Sequence, residues 1–133
     1  MSGGQAWRTA LLGVVCLIGL ACGDDPAPAS ILGTFETPSG SFIAKIDDPV
    51  SIDRARAALG AGGSAGVPNG RIVEGDGGVN IGHNWHLQEV ELVDVTIEAC
   101  DGTADFVDEN LEVFLDLGHY CPWSALVVAI EPG

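Results

Sequence analysis

Along the chain, the spacing of apolar positions passes from continuous to alternating to helical. Ala10 to Ala21 is an unbroken low-polarity run that includes Leu11, Leu12, Val14, Val15, Leu17, Ile18 and Leu20. It is roughly half the ~20 apolar residues a helix needs to cross a bilayer, so it reads as a signal peptide and not a permanent span. From Ser41 to Asp47 the pattern has period two, with Phe42, Ala44 and Ile46 on one face, which predicts a first strand. Asp48-Pro49 then supplies an N-cap and a proline at the first helical position, where the missing N–H costs nothing. Ile52, Ala55 and Leu59 recur at helical spacing until Gly60, which suits a left-handed C-terminal cap.

Ala61 to Gly70 holds four glycines and a proline and predicts a connection without regular structure. Arg71 to Glu74 reads as a short strand, and the sequence EGDGG from Glu74 to Gly78 as a turn. Trp85 to Ala99 is the next long element. In it Val93, Val95, Ile97 and Ala99 alternate with polar residues, but Val90 and Leu92 sit in the opposite phase. A strand cannot change faces without a bulge or a break, and one is predicted near Leu92. Asp101-Gly102-Thr103 then caps a second helix, whose apolar stripe is Val107, Leu111 and Phe114. Leu126, Val128 and Ile130 define a last strand. The order strand, helix, strand, strand, helix, strand predicts an α+β fold: a split βαβ-like sheet, mainly antiparallel, with two helices on one face.

Composition narrows the picture. A chain of 133 residues with 47% apolar and 18% charged positions is long enough for one core and too apolar for wholesale disorder. Five basic against nineteen acidic residues give a formal charge of -14, which excludes nonspecific nucleic-acid binding. The apolar run ends in Gly19-Leu20-Ala21-Cys22, and small residues before a cysteine resemble the lipobox of bacterial lipoproteins. Cys22 is therefore the candidate lipidation site, with plain secretion as the alternative. The expected organisation is a signal peptide over 1–21, an acidic, proline-bearing tether over 22–33 and a single α+β domain over 34–133. Loss of Arg8 with the signal leaves four basic residues against nineteen acidic ones, a formal charge of -15. Anionic head groups repel such a surface, so attachment to the membrane is expected through lipid on Cys22, on the extracytoplasmic side of the cell envelope.

Of the four cysteines, Cys16 falls in the signal and Cys22 is spoken for, which leaves Cys100 and Cys121 to pair with each other. Outside the cytoplasm the simplest outcome is a disulfide; a reactive thiol or two metal ligands are the competing readings.

Candidate chemistry is sparse. His83, His86 and Glu89 recur every third residue, and on a helical turn the imidazoles and the carboxylate could share a metal ion. On a strand, His83 and His86 point to opposite faces, and Trp85-His86-Leu87 has the look of packing. The Glu74 to Asn80 loop lacks the lysine and the strand-to-helix setting of a phosphate loop, and it lacks the spacing of an EF-hand, although calcium could be drawn to its acids. No serine sits in a nucleophile elbow. No metal or cofactor is expected, and His86, Trp85 and Asp76 are the candidate contacts for a ligand or partner. Trp85 and Trp123 are expected to be buried near the disulfide.

Four ordered stretches, Gly75 to Asn80, Trp85-His86-Leu87, Ile97 to Gly102 and Tyr120 to Ser124, resemble a family of small secreted bacterial domains related to the amino-terminal domain of a slime-mould calmodulin-binding protein. The resemblance runs from about Ser41 to Val128; where the family carries Trp or Pro-Trp, this chain has Gly82-His83-Asn84. It implies a shared fold with Cys100 and Cys121 in matching places, and it brings no catalytic activity with it. Calmodulin grips a basic amphipathic helix, whereas only Arg54 and Arg56 lie on a predicted helix here, beside Asp53; charge argues against that partner.

The leading expectation is an extracytoplasmic lipoprotein acting as a nonenzymatic binding domain for an unknown protein or small ligand. The alternative is a small secreted metal-dependent or hydrolytic enzyme using His86 and nearby carboxylates. A secreted inhibitor acting through Ala61 to Gly70 is a third possibility, but ordering so many glycines on binding is costly.

Overall fold

The computed structural model describes residues 29–133. The expected signal peptide, Cys16, Cys22 and the tether up to residue 28 lie outside the described residues. The elements are β1 (Ile31–Glu36), β2 (Ser41–Ile46), α1 (Pro49–Leu59), β3 (Val67–Glu74), β4 (Trp85–Val93), α2 (Ala104–Glu109), α3 (Leu111–Leu117), β5 (His119–Tyr120) and β6 (Leu126–Pro132). The fold is α+β with antiparallel pairing, as the sequence predicts. Its strands are divided between two three-stranded sheets, in the orders β2-β1-β6 and β4-β3-β5. Strand β1 begins at Ile31, so the ordered domain takes in residues that the sequence assigns to the tether.

The first helix forms where the sequence places it. Asp48 caps α1 by accepting from the Ser51 N–H at 2.9 Å, and Pro49 occupies the first turn. Bonds from the Ser51 hydroxyl and amide hold the Asp48 carboxyl below its ordinary pKa. The cap is thus in place at neutral pH and is lost as acid protonates that carboxylate. The helix does not end as expected: Gly60 stays right-handed at φ -86°, and the chain reverses at Gly62 and Gly63, with φ of 96° and 92°.

Four further departures share a cause, the position of ladder partners that periodicity cannot reveal. Strand β3 starts at Val67, inside the segment expected to be irregular, because β4 offers it a partner from Val93 onward. The phase change in β4 is a bulge at Glu89 and Val90, three residues before the predicted site: Arg71 pairs with Gln88 and Asn69 with Glu91, leaving one extra residue on β4. Beyond Val93 the ladder runs out, so residues 94–99 form no strand despite their alternation, and Val95 and Ile97 are exposed. In β6 the register against β1 shifts at Thr34/Phe35; Val127 faces the core, and of the expected Leu126, Val128 and Ile130 only Ile130 packs against it while Leu126 and Val128 face out.

The second predicted helix is two. Thr103 caps α2 by accepting from the Phe106 N–H at 3.1 Å. At Asn110 the backbone leaves helical geometry (φ -132°, ψ 38°), and the Asn110 amide donates to the Phe106 carbonyl, a side chain competing with the backbone ladder. Helix α3 then runs to Gly118, which has the left-handed φ of 84° that a C-terminal cap favours.

The core is an aromatic cluster that crosses from one sheet to the other. Phe42 on β2 stands 5.3 Å from Phe35, 5.7 Å from Trp85 and 5.4 Å from Tyr120, centroid to centroid. Phe114 of α3 meets Tyr120 edge-on at 5.7 Å. Burial pushes the Tyr120 phenol well above its ordinary pKa, with Asp101 and Asp108 adding to the effect, and its hydroxyl donates to the Gly102 carbonyl at 2.8 Å. The sheets are also stitched by one polar group. Buried Asn80 accepts from the Ile43 N–H of β2 and donates to the Trp85 carbonyl of β4, each at 2.9 Å. Cys100 and Cys121 are joined in a fully buried disulfide across 21 positions.

Asn80→Ala leaves two backbone groups at the sheet junction without partners and is expected to cost about 3 kcal/mol, read as a lower urea midpoint at constant slope. Asn80→Asp keeps the shape but not the donor, and a comparable loss is expected. Replacing Cys100 and Cys121 together by alanine is expected to lower stability by roughly 3 kcal/mol in the same assay, the value for freeing a loop of this length in the unfolded chain.

Candidate functional site

Between β2 and β4 lies a groove of about 400 Å³. Lys45 and Asp47 line it from β2 and the turn that follows, Gly77 and Val79 from the loop before β4, and His86, Leu87, Gln88 and Glu89 from β4 itself. A larger concavity of about 510 Å³ lies beside α1, but it is more open and half of its lining residues are alanines. Its Arg54 is already committed to the Leu92 carbonyl and to Asp94. The groove between the sheets is where polar side chains converge, and it is the better candidate.

His86 sits in the groove through a chain of contacts. Its Nδ1 donates to the Gly75 carbonyl at 2.7 Å, which leaves Nε2 to accept from the Gln88 amide at 3.1 Å. The orientation of that amide is set in turn by Arg71, which donates to Gln88 Oε1 and lies 3.5 Å from Glu89 Oε1 through Nε. Gly77 makes room for the ring: a Cβ there would stand 2.6 Å from His86 Cγ, and the residue has φ of 64°. Glu89, on the bulge, is the one non-glycine residue with positive φ, 56°, among those described. A left-handed glutamate at the rim of a groove is local strain held in place by its surroundings.

The other candidate residues lie elsewhere or act differently. Trp85 is fully buried and offers no contact surface; its indole N–H donates to Asp108 at 2.7 Å. Asp76 is exposed beside Gly77 and shapes the turn, accepting from Gly78 N–H through Oδ1 and from the Val79 and Asn80 amides through its carbonyl. His83 faces away from His86. Its Nδ1 meets Asp108 at 2.9 Å and its Nε2 the Ser41 carbonyl at 2.9 Å, so only a doubly protonated ring donates to both. His83, His86 and Glu89 therefore do not converge, and among the described residues no group of three metal-ligating side chains is brought together. Trp123 is 38% exposed, not buried, and its indole N–H donates at 3.2 Å to the Ile97 carbonyl near the disulfide.

Periodicity missed Lys45, Gln88 and Gly77. Two had a signal: Lys45 is the only lysine of the chain, and Gly77 lies in a glycine-rich turn ahead of a histidine. Gln88 had none, because its role depends on Arg71 across the ladder.

A family model described as the N-terminal domain of calmodulin-binding protein 74 matches residues 29–133, most of the chain. No curated protein and no solved structure matches it.

Glu89→Gly relieves the left-handed strain and gives up only an exposed ion pair, so it is expected to raise stability by about 1 kcal/mol in thermal or urea unfolding. A fall in stability would show that the Arg71 contact outweighs the backbone term.

Proposed function

We propose that this chain, which belongs to the family of calmodulin-binding protein 74 N-terminal domains, is a lipid-anchored extracytoplasmic binding domain of a bacterial envelope that takes a small polar ligand or a partner's polar side chain in the groove between its sheets. The observation that carries this reading is the lining of that groove. An ammonium, two carboxylates and an imidazole face one space, and the imidazole has both nitrogens engaged by neighbours. His86 and Gln88 are held by their own hydrogen bonds and lose little freedom when a ligand meets Lys45 or Asp47 beside them, which favours recognition. An acid–base role for His86 would require it to give up Gln88.

Three features support the envelope. The apolar run from Ala10 to Ala21 leads into Cys22 with small residues before it. The family match begins at residue 29, beyond Cys22 and the last proline of the stretch that follows it. The paired Cys100 and Cys121 are of the kind that persists in oxidising compartments. Among the described residues, no helix is long and apolar enough to cross a membrane. Against a calmodulin partner stands charge, since the basic residues of α1 are only Arg54 and Arg56 and Arg54 is tied down by Leu92 and Asp94.

Mass spectrometry of the native protein is expected to show a chain beginning at acylated Cys22, and Cys22→Ser is expected to release it from membranes into the soluble fraction. An intact Met1 with free Cys100 and Cys121 would overturn the envelope assignment. For the groove, amide shifts on titrating free amino acids are expected at Lys45, Gly77 and His86, and Lys45→Glu is expected to abolish them.

A further inference from the structure

The α2–α3 pair carries two apolar stripes where a surface helix needs one. Val107 and Phe114 are buried and Leu111 packs against the core; on the outer side Phe106, Val113 and Leu117 are 48%, 63% and 38% exposed. Isolated exposed apolar residues are ordinary, but Val113 and Leu117 share one face of α3 at i,i+4, and with Phe106 of α2, whose ring meets Phe114 edge-on at 6.0 Å, they make an interrupted strip along the pair. The break at Asn110 adds a recess of about 390 Å³ midway along it, walled by Glu109, Leu111, Glu112 and Val113.

Charge says what fits there. The strip is bordered by Glu109, Glu112 and Asp116, and no Lys or Arg occurs anywhere in residues 72–133. Glu112 and Asp116 are like-charge neighbours at i,i+4 within α3, and acids toward the end of α3 oppose its dipole. Asp105 and Asp108 are occupied by Ser39, His83 and Trp85, whereas these three carboxylates form no ion pair among the described residues. A second copy of this acidic chain would add to the repulsion.

We propose that the outer face of α2–α3 docks a cationic amphipathic helix of a partner protein, its apolar side on Phe106, Val113 and Leu117 and its Lys or Arg residues against Glu109, Glu112 and Asp116. This surface is separate from the groove between the sheets and does not depend on it.

The test titrates the purified protein with an 18-residue Leu/Lys peptide of helical amphipathic spacing and, in parallel, with the same composition scrambled to abolish the apolar face. Amide shifts centred on Glu109 to Leu117 are expected with the first peptide, with binding weakened by raised salt. Val113→Ser, at the most exposed position of the strip, is expected to weaken binding roughly tenfold without changing the melting temperature. The Glu112→Lys, Asp116→Lys double variant is expected to abolish it. Equal binding of the scrambled peptide, shifts elsewhere on the surface, self-association through the same residues, or no binding at low salt would each overturn the proposal.

Discussion

Two backbone hydrogen bonds to one buried amide hold this domain's halves in register. The sheets share no ladder: β2 ends one, β4 ends the other, and between them stands Asn80. An amide is the side chain that can both accept from Ile43 and donate to Trp85 without carrying a charge into the interior. The aromatic cluster around Phe42 supplies the larger share of apolar burial, but it is directionally tolerant. The amide pins the relative height of the two strands. The groove lies along the same two edges, walled by Lys45 and Asp47 on one side and by His86 to Glu89 on the other.

What fills the cleft is set by contacts far apart in sequence. The Arg71–Gln88–His86–Gly75 chain joins β3, β4 and the preceding loop. The strained Glu89 is a by-product of the bulge that lets Trp85 and Leu87 face the core ahead of it and Val90 and Leu92 behind it. Tyr120, 5.3 Å from Trp85, and the disulfide at the next residue anchor β5 and the C-terminal turn to the same cluster.

Local features were legible in the sequence where their causes are local. The Asp48-Pro49 cap, the alternation of Phe42, Ala44 and Ile46, the Thr103 cap and the pairing of the last two cysteines all rest on residues that act within one turn or by elimination. The class of fold followed from their order. The errors fell where pairing decides. Val95 and Ile97 alternate like a strand but have no ladder partner, and Val128 looks inward until the irregularity in β6, which leaves it without a partner on β1, turns it out. Asn110 could not be seen to break a helix, since the stripe of Val107, Leu111 and Phe114 continues through it. Of the candidate contacts, His86 was found because imidazoles are rare here; Lys45 and Gln88 join it only through the meeting of two sheets.

The outer margin of β4 is sealed by its neighbours: Asn80 takes the Trp85 carbonyl, the Ser51 hydroxyl receives the Leu92 N–H at 2.8 Å, and Arg54 donates to the Leu92 carbonyl. Unpaired strand margins invite other chains to stack on them, which is how fibrils grow. With these groups already engaged, both ends of the outer margin of β4 are closed to an incoming strand.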